Sequence, residues 1–166
     1  MALPALTLGA GTVGAPAEPR ARRLRAPLLL ALWLLLAIEA AGGIVIFVAR
    51  LATGGTPGEA LHVVAGLALA AVYAVYQWRH WLRVRPLRAR LDYTVGLLAA
   101  ASMALTNLTG LVLGAAWWRD RVVGHAAAAS YAPALSAVHN IGSMLVLTFV
   151  GAHLAAVLMR DRRIAR

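Results

Sequence analysis

Four long apolar stretches constrain this chain more than any other feature. They run from Pro27 to Val48, Ala60 to Trp78, Tyr93 to Trp118 and Ala134 to Met159, and only the first carries a charge, Glu39. A bilayer core about 30 Å thick is crossed by roughly 20 helical residues, so each stretch is long enough to span it. Leu and Ala dominate and strand-like alternation is absent, which predicts helices rather than a barrel. The reading is an all-α, integral-membrane four-helix up-down bundle. Hydrophobic residues at 61% and charged residues at 13% exclude an ordinary soluble domain and a disordered chain alike. A length of 166 residues predicts one domain.

The formal charge of +10 first points to nucleic acid, and the placement of the arginines removes that reading. All 16 basic residues are Arg. Arg20, Arg22, Arg23 and Arg25 precede the first stretch. Arg79, Arg83, Arg85, Arg88 and Arg90 lie between the second and third, and Arg160, Arg162, Arg163 and Arg166 follow the fourth. The other two connections hold Arg50, Arg119 and Arg121. Thirteen against three predicts both termini on the cytoplasmic side of a bacterial-type inner membrane. Trp78 and Trp81 at one face, with Trp117 and Trp118 at the other, fit interfacial aromatic belts.

Residues 1–26 are rich in Pro, Gly and Ala and are expected to form a disordered basic cytoplasmic tail. Residues 27–160 are the transmembrane domain and 161–166 a second short basic tail. The segment ARRLRAPLLLALW resembles a signal peptide or twin-arginine leader, but the apolar run continues well beyond a short h-region, which predicts an uncleaved anchor. Thr56-Pro57-Gly58-Glu59 reads as a capped helix start with Pro57 in the first helical position, and Pro133 marks the start of the last helix.

Four of the five histidines lie on the second and fourth helices: His62, His80, His139 and His153. His125 falls in a connection and is set aside. His62 follows Pro57 by five residues and His139 follows Pro133 by six, a depth difference of about 1.5 Å on helices that run the same way. Two imidazoles from facing helices at one level are what a six-coordinate haem iron requires. His153 is about 14 residues beyond His139, about 21 Å deeper and near the same face. His80 is about 18 residues beyond His62, about five turns and again the same face. Measured from Arg83 and Arg160, this second pair is mismatched in depth by about 6 Å, and Tyr76 lies at the level of His153. The absence of Cys excludes disulfides, iron–sulfur clusters, thiolate zinc sites and covalent haem attachment, leaving a non-covalent b type.

The segments LHVVAGLALAAVYAVYQWRHW and VHNIGSMLVLTFVGAHL resemble those of small bacterial di-haem membrane cytochromes b, including cytochrome b561-like proteins and formate dehydrogenase gamma subunits. The shared pattern is a His, a nearby Gly and a second His roughly four helical turns later. The resemblance covers residues 27–160 or thereabouts. It implies His62, His139 and His153 as haem ligands, with Gly66 and Gly142 nearby. It places another His where this chain has Tyr76, while His80 matches an additional His one turn later. It implies one or two haem b groups and electron exchange with a quinone or a partner redox subunit.

Helices one and three each carry paired glycines, Gly42 with Gly43 and Gly110 with Gly114, which suit close helix packing or close approach of a flat macrocycle. Each precedes a histidine helix, a weak two-fold repeat of a helix pair. Glu39 is a mid-membrane carboxylate, read either as a functional group or as a protonated acid bonded to Asn107 or a backbone carbonyl. The absence of a large extramembrane domain favours an electron-transfer subunit over a self-sufficient oxidoreductase. The competing class is a haem-free membrane anchor, or a metal transporter using the same histidines; the lone Glu39 weighs against transport.

Overall fold

The computed structural model describes residues 26–84 and 91–164. Four helices make up almost all of them: α1 (Pro27–Thr53), α2 (Glu59–Val84), α3 (Leu91–Trp117) and α4 (Pro133–Ile164), with a π-helical segment, Trp118–Val123, continuing α3. All four helices are long and apolar enough to cross a membrane, so this is a multi-pass membrane protein. The expected tail at residues 1–26 lies, save for Ala26, outside the described residues, as do Arg85, Arg88 and Arg90 of the central connection. Helix α4 continues through Ile164, into the stretch read as the second basic tail.

The chain distributes its side chains inversely to a soluble bundle. Leu51, Leu61 and Leu108 are among the most exposed hydrophobics, at 74%, 64% and 63%. Among the described residues the buried positions are Leu32, Leu69, Met103 and Val146 with the small Ala65, Ala99, Ser102 and Thr109. Lipid solvates outward leucines as well as a protein core would, so the interior is left for residues that permit close approach or hydrogen bonding.

Packing divides the bundle into two hairpins. α1 lies against α2, and α3 lies most extensively against α4, whereas the contact between α2 and α3 is much smaller. α2 and α4, the histidine helices, scarcely approach each other, so a gap runs between the hairpins. The Tyr73 hydroxyl donates to the Ala100 carbonyl at 3.4 Å and bridges α2 to α3.

Local chemistry sets the helix ends. Pro27 opens α1, where its missing N–H is no loss. Gly54, at φ 74°, closes α1 with its N–H on the Arg50 carbonyl at 3.1 Å, a left-handed cap that suits glycine. The sequence expectation for the next start is corrected. Helix α2 begins at Glu59, not Pro57, because Gly58 sits at φ 76° and breaks the run. The Glu59 side chain does not fold back as a cap; its Oε1 accepts the Tyr131 hydroxyl at 2.6 Å. Pro133 is the first residue of α4, as expected.

Asp120 organises the connection that delivers Tyr131. One carboxylate oxygen accepts from Arg119 at 2.6 Å and the other from the Ser130 N–H at 2.8 Å, while its carbonyl accepts from Ala126 N–H at 2.8 Å. Tyr131 ties this connection to α2, and its phenol pKa is raised by burial and by the Glu59 carboxylate. The neutral phenol therefore keeps its bond through neutral pH. Its contribution to stability is lost only as pH climbs above the ordinary tyrosine value of about 10. A Tyr131→Phe variant is expected to unfold more readily in detergent at pH 7, by about 1–2 kcal/mol, and to lose part of the alkaline destabilisation of the parent. Equal unfolding curves for the two proteins at both pH values would contradict this role.

Candidate functional site

The gap between the hairpins brings the four intramembrane histidines together in two pairs. At the end of the bundle that carries Tyr131, the rings of His62 and His139 have centroids 6.3 Å apart and planes at 80°. At the end that carries Trp81, His80 and His153 are 6.4 Å apart with planes at 86°. The depth mismatch expected for His80 and His153 is thus corrected. Arg83 and Arg160 are not level markers, because α2 ends at Val84 while α4 runs on to Ile164. Tyr76 is not a substitute for either ring; it stacks on His80, one turn away, at 5.4 Å and 12°.

Each of three histidines is seated on a glycine of the helix paired with its own. A Cβ on Gly43 would stand 3.4 Å from His62 Cε1, and one on Gly110 would stand 3.1 Å from His139 Cε1. On Gly96 it would stand 2.8 Å from His153 Cε1 and 3.0 Å from Nδ1, closer than real side chains pack. Helix α3 thus carries two seats, Gly96 and Gly110, separated by the same interval as His139 and His153 on antiparallel α4. Gly66 and Gly142 play another part. A Cβ there would crowd Glu39 Oε2 at 3.2 Å and Thr106 Oγ1 at 2.7 Å, so they admit polar side chains from α1 and α3.

Partners on neighbouring helices orient the Tyr131-end pair. His139 Nδ1 is 3.1 Å from the Thr106 carbonyl and 3.1 Å from Thr109 Oγ1. Thr109 gives its own proton to backbone carbonyls of Leu105 and Thr106, at 2.9 and 3.0 Å. A carbonyl only accepts, so Nδ1 carries the proton and Nε2 presents its lone pair. His62 Nδ1 lies 3.0 Å from Glu39 Oε2, which favours the same tautomer. The approach is off the N–H direction, and His62 Nδ1, Glu39 Oε1 and Thr106 Oγ1 are buried without a hydrogen-bond partner among the described residues. Of the partners weighed for Glu39, Asn107 makes no hydrogen bond to it among the described residues; the group beside its carboxylate is the His62 ring.

A cavity of about 220 Å³ is lined by Glu39, His62, Thr106 and His139 and reaches Arg50 and Tyr131 at its mouth. Among the described residues no three His, Asp or Glu side chains converge as a metal cage. The four histidines stand instead as two facing pairs of rings. His125, in the connection, is exposed at φ 51° and stands outside both pairs. Sequence reasoning did not single out Thr109, Gly96 or Tyr131. The interval common to the α3 glycines and the α4 histidines was the available signal for Gly96.

No family model, no curated protein and no solved structure matches this chain.

Proposed function

We propose that this chain is an integral-membrane b-type cytochrome, with haem held between His62 and His139 and between His80 and His153. The observation that supports the reading is the spacing within the pairs, 6.3 and 6.4 Å between ring centres. A metal–imidazole bond of about 2.0 Å and about 1.1 Å from nitrogen to ring centre place two rings sharing one metal roughly 6.2 Å apart. The donor set agrees: a His139 imidazole whose Nδ1 is engaged, leaving Nε2 to bind, glycine seats that admit a flat group, and a cavity between the hairpins. Bound there, haem would supply a one-electron ferric–ferrous couple.

The protein's own task is to hold and orient. Thr106 and Thr109 fix the His139 ring, Glu39 faces His62, and Tyr76 fixes the plane of His80. By the distribution of arginines, the Tyr131 end faces outward and both termini lie in the cytoplasm of a bacterial-type cell. Electrons would pass between a quinone or a partner redox subunit and an acceptor, in keeping with a subunit or shuttle role.

The test is a reduced-minus-oxidised spectrum of the purified membrane protein with a pyridine haemochrome count. Two b-type haems per chain are expected. No b-type bands from haem-replete cells would refute the reading. A Thr109→Val variant is expected to keep both haems while loosening one by about tenfold, since His139 loses one of two Nδ1 partners. Haem-transfer kinetics to an apo-globin acceptor would measure this, and an unchanged rate would remove Thr109 from the site.

A further inference from the structure

Around the cavity mouth at the Tyr131 end, three elements contribute one polar group each: Arg50 from the last turn of α1, Glu59 from the first turn of α2, and Tyr131 from the segment before α4. Tyr131 donates to Glu59 at 2.6 Å, and the Arg50 guanidinium carbon lies 5.9 Å from the Tyr131 ring centre. The carboxylate of Glu59 is therefore engaged by the phenol, and Arg50 makes no ion pair among the described residues. The neighbouring cations are committed elsewhere. Arg119 pairs with Asp120 at 2.6 Å, and Arg121 donates to the carbonyls of Ala126 and Ala127.

The register of α1 aims Arg50 at the histidine pair. Arg50 lies seven residues beyond Gly43, the glycine against His62. Seven residues are two turns, so both project from one face of α1, with Arg50 about 10.5 Å nearer the mouth. Glu59 lies three residues before His62, about 4.5 Å of rise. A b-type group brings two carboxylates, and a carboxylate at the edge of the apolar layer needs a cation. Arg provides a planar fork for it, two charge-assisted hydrogen bonds in fixed geometry.

Building on the cytochrome reading, we infer that Arg50 is the carboxylate-binding residue of the Tyr131-end site. It pairs with a propionate of the haem held by His62 and His139, beside the Tyr131–Glu59 bond.

The test compares the wild type with Arg50→Gln and Arg50→Lys. Arg50→Gln is expected to retain both haems and to release one roughly tenfold faster, as loss of a charge-assisted bond requires. Its midpoint potential should fall, because a positive charge no longer opposes ferric iron, while the other haem titrates unchanged. Arg50→Lys should restore part of both effects. Refilling the wild-type apoprotein with haem dimethyl ester should reproduce the fast release, and the ester should erase the difference between wild type and Arg50→Gln. Unchanged release and potential in Arg50→Gln, with both haems present, overturn the assignment of Arg50 alone. A persisting difference with the ester overturns it too, since the arginine then acts on something other than the carboxylate. A wild-type protein without haem overturns the cytochrome reading and this inference together.

Discussion

Replacing His139 by alanine is expected to lower the haem count from two per chain to one. His139 and His62 face each other at 6.3 Å, and in the proposed cytochrome each would contribute one imidazole. With His139 removed, no other histidine stands within that spacing of His62, the remaining pair being on the far side of the bundle. With one imidazole instead of two, a haem would be held mainly by packing, so affinity should fall by orders of magnitude. The haem between His80 and His153 should persist, and its persistence shows that the bundle has folded. A pyridine haemochrome count per chain and the amplitude of the reduced bands measure the outcome. Two haems in the variant would mean that His139 is not a ligand. His62→Ala is expected to give the same count, whereas His153→Ala should remove the other haem.

The second large effect is expected at a residue that ligates nothing. Gly96→Ala places a methyl carbon 2.8 Å from His153 Cε1 and 3.0 Å from its Nδ1. The imidazole ring is rigid and cannot give way by bending, so either the ring rotates or α3 and α4 separate. Both move His153 off the line to His80, and the Trp81-end haem should be lost or its reduced band shifted and broadened. Gly110→Ala, at 3.1 Å from His139 Cε1, should act in the same direction on the other haem and more weakly. Gly151→Ala is the matched control, because nothing lies within 4 Å of its Cβ. If Gly96→Ala keeps a normal spectrum at both sites, the glycine seat has no role in placing His153.

Much of this arrangement is legible in one dimension. Hydropathy delimits the four spans, because crossing lipid imposes length and apolarity on each segment separately. Helical periodicity places His62 with His80, and His139 with His153, on consistent faces, since the interval within each pair is close to a whole number of turns. The level of His80 against His153 was not legible from Arg83 and Arg160, which stop being landmarks once α4 outruns α2. Nor was the bond from Tyr131 to Glu59, whose partners are 72 residues apart. Glu39 stood out as a mid-membrane carboxylate, but the partners weighed for it were Asn107 and a backbone carbonyl, not the His62 ring that faces it.

The sequence by itself determined that the chain is a membrane protein of four helices, with four histidines on two of them and one carboxylate, Glu39, as the only formal charge in the apolar stretches. It did so because lipid exposure and helical period act on each segment alone. The tertiary structure decided which rings meet, that His139 keeps its proton on Nδ1 beside Thr106 and Thr109, that Glu39 faces His62, and that Arg50 overlooks the same cavity. Those contacts depend on how far each helix rotates and slides against its neighbour. That is set by glycine seats and by where helices end, and it is shared between segments rather than written in any one of them.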